Sequence, residues 1–166
     1  MNIFYTNECP IISAAEHCHK HRIKMILEYA QMLSTSHHVL GGEVPELAYK
    51  KTHQNHPSSV WCRASAANYE WVWLCAKELC ELYTKHSGKT HKTEAVIDQL
   101  VFAPISISAT AITTPPIAAP DEFKVLSLTV GIAKAYQAYL NEKFAEWISR
   151  DKPLSVVFDS KPAWAS

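Results

Sequence analysis

The sequence is short of charge, of glycine and of paired cysteines. Charged residues fill 19% of the 166 positions, and 16 basic side chains cancel 16 acidic ones. No uniform positive field is therefore present to hold nucleic acid regardless of sequence, although a local basic groove stays open as a possibility. Four glycines leave little material for phosphate-cradling loops, and there is no G-x-x-x-x-G-K-[ST], G-x-G-x-x-G or G-x-S-x-G. P-loop kinases, Rossmann dehydrogenases and serine hydrolases are poor candidates on that ground. The five cysteines, Cys9, Cys18, Cys62, Cys75 and Cys80, are odd in number and lack C-x-x-C spacing, which reads as buried free thiols in a reducing cytosol. No apolar run approaches the roughly 18 residues that a membrane span needs. The opening Met1-Asn2-Ile3-Phe4-Tyr5-Thr6 has neither a basic start nor a long apolar stretch, so the expected setting is cytoplasmic and away from membranes.

What is present is enough apolar material for one sizeable core, with hydrophobic residues at 48%, at a length that suits a single domain. The pattern along the chain predicts an all-α fold over residues 1–166 with three long helices. Residues 2–6 read as a short extended segment. Ser13-Ala-Ala-Glu16 has the form of a capping box and predicts a first long helix running to about His38, stopped by Gly41-Gly42. A polar loop over 41–56 leads to Pro57, which suits the first turn of a second helix reaching about His86. A short helix is expected near Thr93–Phe102. The four prolines in 103–120 mark a long, fairly apolar loop, a type usually functional or mobile in a compact domain. A third long helix is expected from about Ser127 to Arg150, its apolar stripe supplied by Ile132, Ala135, Tyr136, Tyr139, Leu140 and Trp147. The tail over 153–166 reads as irregular, with Trp164 able to dock on the body.

Seven of the nine histidines (17, 19, 21, 37, 38, 53 and 56) fall in the first 56 residues. On a helical wheel at about 100° per residue, Ile23, Ile26, Leu27, Ala30 and Leu33 cluster on one side. His17, Lys20, His21, Lys24, Glu28, Gln31 and Thr35 form a narrow polar seam beside them, as a largely buried helix lining a cleft would show. His21 and Glu28, seven apart with Lys24 between, could serve as an acid/base pair beside a cation; a solvated face with incidental histidines is the plainer alternative. His17 and His21 also have i, i+4 spacing able to chelate zinc, with His53 and His56 as further donors if the next loop folds back. No H-E-x-x-H and no structural cysteine pair accompany them, and neither a metal nor another cofactor is assigned. Trp61, Tyr69, Trp71 and Trp73 fit either a core or a base-stacking surface. Arg63 is isolated among small and aromatic residues and suits an anionic ligand or a surface position. Lys85, His86, Lys89, His91 and Lys92 form a small basic patch near Gly88.

The opening Met-Asn-Ile-Phe-Tyr, the segment from His17-Cys18-His19-Lys20-His21 through Lys24 to Thr35, Thr52-x-x-Asn55-His56-Pro57, Asn68-Tyr69-x-Trp71, Tyr83, Gly88-Lys89-x-His91 and Trp147-x-x-Arg150 together resemble a family of small proteins encoded by tailed phages. That resemblance implies a viral origin, and an infected bacterial cytoplasm, more than a reaction. Over about 20 residues the first helix is also similar in pattern to the phage pyrimidine-dimer DNA glycosylases, compact helical enzymes with a catalytic Glu in the first long helix and a His seven residues before it. Lys24 and Gln31 stand in the neighbourhood where that family has arginines. Its chain terminus lies beside the Glu, and the free amine attacks C1′ of the damaged nucleotide, giving a Schiff base and then strand cleavage. The resemblance implies Glu28 and His21 as catalytic residues and Asn2 as the bearer of the amine once Met1 is removed. Candidate substrate contacts are His17, Lys20, Lys24, Gln31, His56, Arg63, Asn68, Lys89 and His91. The expected partner is DNA or a nucleotide, with homo-oligomerisation compatible. A nucleotide-binding or nucleotide-modifying protein, predicting a closed pocket, and a non-enzymatic interaction protein remain alternatives.

Overall fold

The computed structural model describes residues 1–166, and every regular element in it is a helix. In order these are α1 (Pro10–Ala15), α2 (His19–Leu40), α3 (Pro57–Cys62), α4 (Ala66–Ser87), α5 (Glu94–Gln99), α6 (Asp121–Val130) and α7 (Ile132–Ser149). The three long ones are α2, α4 and α7. α2 and α4 lie against each other at the centre, α1 packs on α4, and α6 packs on α7. One core cluster of 29 buried residues runs through the molecule, from Ile3 and Phe4 through Met25, Ile26, Tyr29 and Leu33 of α2 to Leu79 of α4 and Tyr136 of α7. No helix is long and apolar enough to cross a membrane. The five thiols are free, and all but the half-buried Cys9 are buried.

Each predicted long helix is divided in two. Ser13 does not cap a helix start: it lies inside α1, which begins with Pro10 in its first turn. The Ser13 hydroxyl turns inward, donating to the Phe4 carbonyl at 3.2 Å. The chain then breaks at Glu16–Cys18, and α2 starts at His19. The second expected helix breaks after Cys62, where Ser65 restarts it by accepting from the Asn68 N–H at 3.1 Å, an N-cap that satisfies an otherwise orphaned donor. Its far end closes on Gly88, at φ 68, the left-handed conformation that glycine adopts without a Cβ penalty. The third begins earlier than Ser127, because Asp121 and Glu122 suit a helix N-terminus. Gly131 at φ 84 then separates α6 from α7.

The loop over 103–120 contains no helix or strand. It buries Pro115 and Ile117 yet leaves Ile105 99% exposed. The tail docks as the pattern suggests, with the Trp164 carbonyl accepting from Asn141 Nδ2 at 2.7 Å. At the other end, residues 2–6 form a buried hook, not an extended strand, turning at Phe4 with φ 37.

Candidate active site at the chain terminus

The hook is held by hydrogen bonds from the Asn2 amide and from two buried tyrosines. Asn2 Oδ1 accepts from the Ile3 and Phe4 N–H groups at 2.8 and 3.2 Å, a side-chain-to-backbone turn of the kind that stabilises a left-handed residue. Asn2 Nδ2 donates to the Ala118 carbonyl at 2.8 Å. The Tyr136 hydroxyl lies 2.9 Å from Asn2 Oδ1 and accepts from the Ala118 N–H at 3.0 Å. Tyr29 of α2 donates to the Ile3 carbonyl. Positive φ at a bulky residue persists only where its surroundings over-determine it, and here these bonds do so.

The consequence is a fixed position for the terminal nitrogen. Glu28 of α2 is the neighbour of Tyr29, and its Oε2 lies 3.8 Å from the Met1 amine. The same oxygen accepts from the Asn2 N–H at 3.0 Å. Oε1 lies 3.2 Å from Lys24 Nζ, one turn back on the helix. The Met1 side chain is 1% exposed, its thioether meeting the Ser59 hydroxyl, although the residue as a whole is only half-buried. Its solvent contact is therefore made through main-chain atoms. His56 completes the group. It accepts from the Ser58 N–H at the start of α3, and burial, then the positive terminal amine and His53, lower its pKa against the opposing pull of Glu28. Segment 49–56 reaches this place by lying along α2, where Tyr49 N donates to Ser34 Oγ at 3.0 Å and Thr52 N to Thr35 Oγ1 at 3.2 Å.

Glu28, the terminal nitrogens of residues 1 and 2, Lys24 and His56 are thus brought together; the other expected residues are not. His21 is a core histidine, 3% exposed and boxed by Phe4, Phe144 and Trp147 at ring separations of 4.5, 5.5 and 5.0 Å. Burial, then His17 and two lysines, push its pKa down to about 2. Two helical turns, about 10 Å, separate it from Glu28 along the axis, so it is not placed as the partner of that carboxylate. His17 lies outside α2, buried, with Nδ1 2.7 Å from the Ser13 carbonyl and a pKa lowered to about 4 chiefly by burial. The spacing by which His17 and His21 could chelate a metal with His53 and His56 is not realised, because His17 and His21 go to the core.

The wheel also misplaces two apolar residues. Ile23 and Leu27 are 51% and 40% exposed, and with Lys20, Lys24 and the half-buried Gln31 they make the outer strip of α2. Asn68 is buried structure, its Nδ2 donating to the Trp61 carbonyl and to Thr113 Oγ1 at 2.8 Å each. The indole N–H groups of Trp61, Trp71 and Trp73 donate to the carbonyls of Thr113, Glu8 and Ile97, and Tyr69 to Leu100. These rings are therefore core, not a stacking surface. Arg63 closes α3 with its Nη1 buried and without a partner. His91 accepts from the Thr93 N–H and stands edge-on to Tyr83. Lys89 is exposed and lines a small cavity of about 260 Å³ with His19 and Arg22.

None of the main cavities is lined by Glu28. The largest, about 690 Å³, lies between Tyr5, Glu8, Thr113 and Lys134, away from Glu28, whose side chain is 13% exposed. The sequence reading missed the roles of Tyr136 and the Asn2 amide, since nothing in a helix-period stripe marks one tyrosine as the anchor of a distant terminus. It also missed a cluster of His19, His86 and Asp159, drawn from three separate parts of the chain. No protein-family model matches this sequence, and neither curated proteins nor solved structures show a significant likeness to it.

Proposed function

We propose that the chain is a DNA glycosylase/lyase-like enzyme acting on damaged or modified bases through its terminal amine and Glu28. The observation that carries the reading is the 3.8 Å separation of the Met1 amine from Glu28 Oε2, with the Asn2 nitrogen 3.0 Å from the same oxygen. An amine carried by residue 1 or by residue 2 is in reach of one carboxylate. The α-amine would attack C1′ as the glycosidic bond breaks, with the departing base taking a proton. Ring opening would leave an imine at C1′; loss of a C2′ proton would then expel the 3′ phosphate. Glu28 would exchange protons with the amine and the sugar, and Lys24 would meet an adjacent phosphate.

Reductive trapping tests this. The protein is incubated with UV-irradiated, abasic or undamaged DNA in borohydride, which reduces an imine to a stable amine. A covalent band with the damaged or abasic strands alone, lost or strongly weakened in Glu28→Gln, supports the reading. No band with any of the three strands removes it.

A further inference from the structure

Away from the terminus, the start of α2, the end of α4 and the tail meet at one point. His19 Nε2 lies 2.8 Å from Asp159 Oδ1, and His86 Nδ1 lies 3.4 Å from the same oxygen. The two imidazole rings are 3.8 Å apart between centroids. One donor atom from each of the three residues falls within 4.8 Å of the others. Arg22, 1% exposed, backs the cluster: Nη2 is 2.7 Å from Asp159 Oδ2, Nη1 donates to the Leu82 carbonyl at 3.2 Å, and Nε has no partner. The cavity of about 260 Å³ lined by His19, Arg22, Ile23, Tyr83, His86, Ser87 and Lys89 adjoins it.

We propose that His19, His86 and Asp159 form a binding site for a divalent transition-metal ion, with Zn²⁺ the best match to the donors. Two imidazoles and one carboxylate are the nitrogen and oxygen ligands zinc takes, at about 2.0–2.2 Å, and tetrahedral geometry then sets donors roughly 3.4 Å apart. The present spacings of 2.8 and 3.4 Å lie just below and at that value, and all three donors fall within 4.8 Å of one another, so small side-chain rotations close the site. Three protein ligands leave a fourth position, the arrangement of sites that keep a place for water or a ligand. The adjoining cavity, lined by His19 and His86, offers room for it. Arg22 engages the carboxylate oxygen that the metal does not use, fixing Asp159 as supporting partners of metal ligands do. Its own charge is compensated by the carboxylate it holds, which a buried guanidinium requires. The His19 N–H already donates to the Val157 carbonyl at 2.8 Å, so the tail is registered against α2 before any ion arrives.

The test uses the whole chain, stripped with chelator and titrated with Co²⁺ as a visible reporter and with Zn²⁺ by calorimetry. One ion should bind per chain, with the intense visible bands of tetrahedral Co²⁺ bleached by added Zn²⁺. Affinity should fall in His86→Ala and in Asp159→Asn by more than the roughly 10–100-fold that loss of a mere supporting partner costs. His86 is half exposed at the end of α4, so its removal leaves the fold intact, and His38→Ala, an exposed histidine elsewhere on α2, controls for adventitious binding. Ion binding should also slow proteolysis of the 151–161 segment. Absence of stoichiometric binding, or binding that survives both ligand substitutions, overturns the site.

Discussion

Replacing His21 by Phe tests whether the core is held together by neutral imidazoles. His21 sits among Phe4, Phe144 and Trp147 with its Nε2 buried and without a partner. Burial lowers its pKa from 6.5 to about 2, and that of His17 from 6.5 to about 4. Both folded values are depressed, so the unfolded chain takes up protons first, and stability is lost as pH falls below 6.5. Each unit of differential protonation is worth about 1.4 kcal/mol. Between pH 7 and pH 5 each histidine therefore removes about 2 kcal/mol, and the pair about 4 kcal/mol. In His21→Phe the aromatic box receives a ring of similar shape and the buried nitrogen disappears, so stability at pH 7 should hold or rise. The loss between pH 7 and pH 5 should be smaller than in the parent by about 2 kcal/mol. His37, His56 and His91, whose pKa values burial also lowers, contribute equally to both proteins and cancel in the comparison. Urea unfolding at pH 7, 6 and 5 reads the quantity directly. The same acid dependence in His21→Phe as in the parent would refute the reasoning.

Asn2→Ala strips partners from the half-buried Ala118 carbonyl and from the buried Ile3 and Phe4 N–H groups. At about 1–3 kcal/mol for an unsatisfied buried group, with some relaxation, it should cost about 3 kcal/mol in chemical unfolding. Ser65→Ala removes the cap that starts α4 and should cost about 1 kcal/mol in the same assay; no change would mean the break after Cys62 is set by packing alone. Burial pushes Cys62 and Cys80 up to about 12 and raises Cys18 and Cys75 as well. Titration of the native protein with a thiol reagent at pH 8 should therefore show at most Cys9 reacting quickly and all five only after unfolding.

The helical class and the long Pro-rich loop could be read from the sequence because 3.6-residue periodicity and proline act locally. The divisions within the helices were hidden for the same reason. Apolar spacing continues across Cys62–Ser65 and across Gly131, while the breaks come from one cap and one positive φ. On α2 the wheel set Ile23 inside and His21 on the polar seam; the structure reverses both, since a central helix is packed from more than one side and its exposed strip need not be polar. Glu28 was marked by its place on the first long helix, and His56 by its motif before Pro57. The Asn2–Tyr136 contact spans 134 residues and the His19–Asp159 contact 140. No local pattern records such pairings.

The central claim is that the terminal nitrogen beside Glu28 is a nucleophile. Its most direct test is to digest the borohydride-trapped protein–DNA adduct and locate the linked residue by mass spectrometry. The account predicts the link on the α-nitrogen of the amino-terminal peptide. A link on Lys24 or any other lysine side chain, with the terminal peptide recovered unmodified, would contradict it.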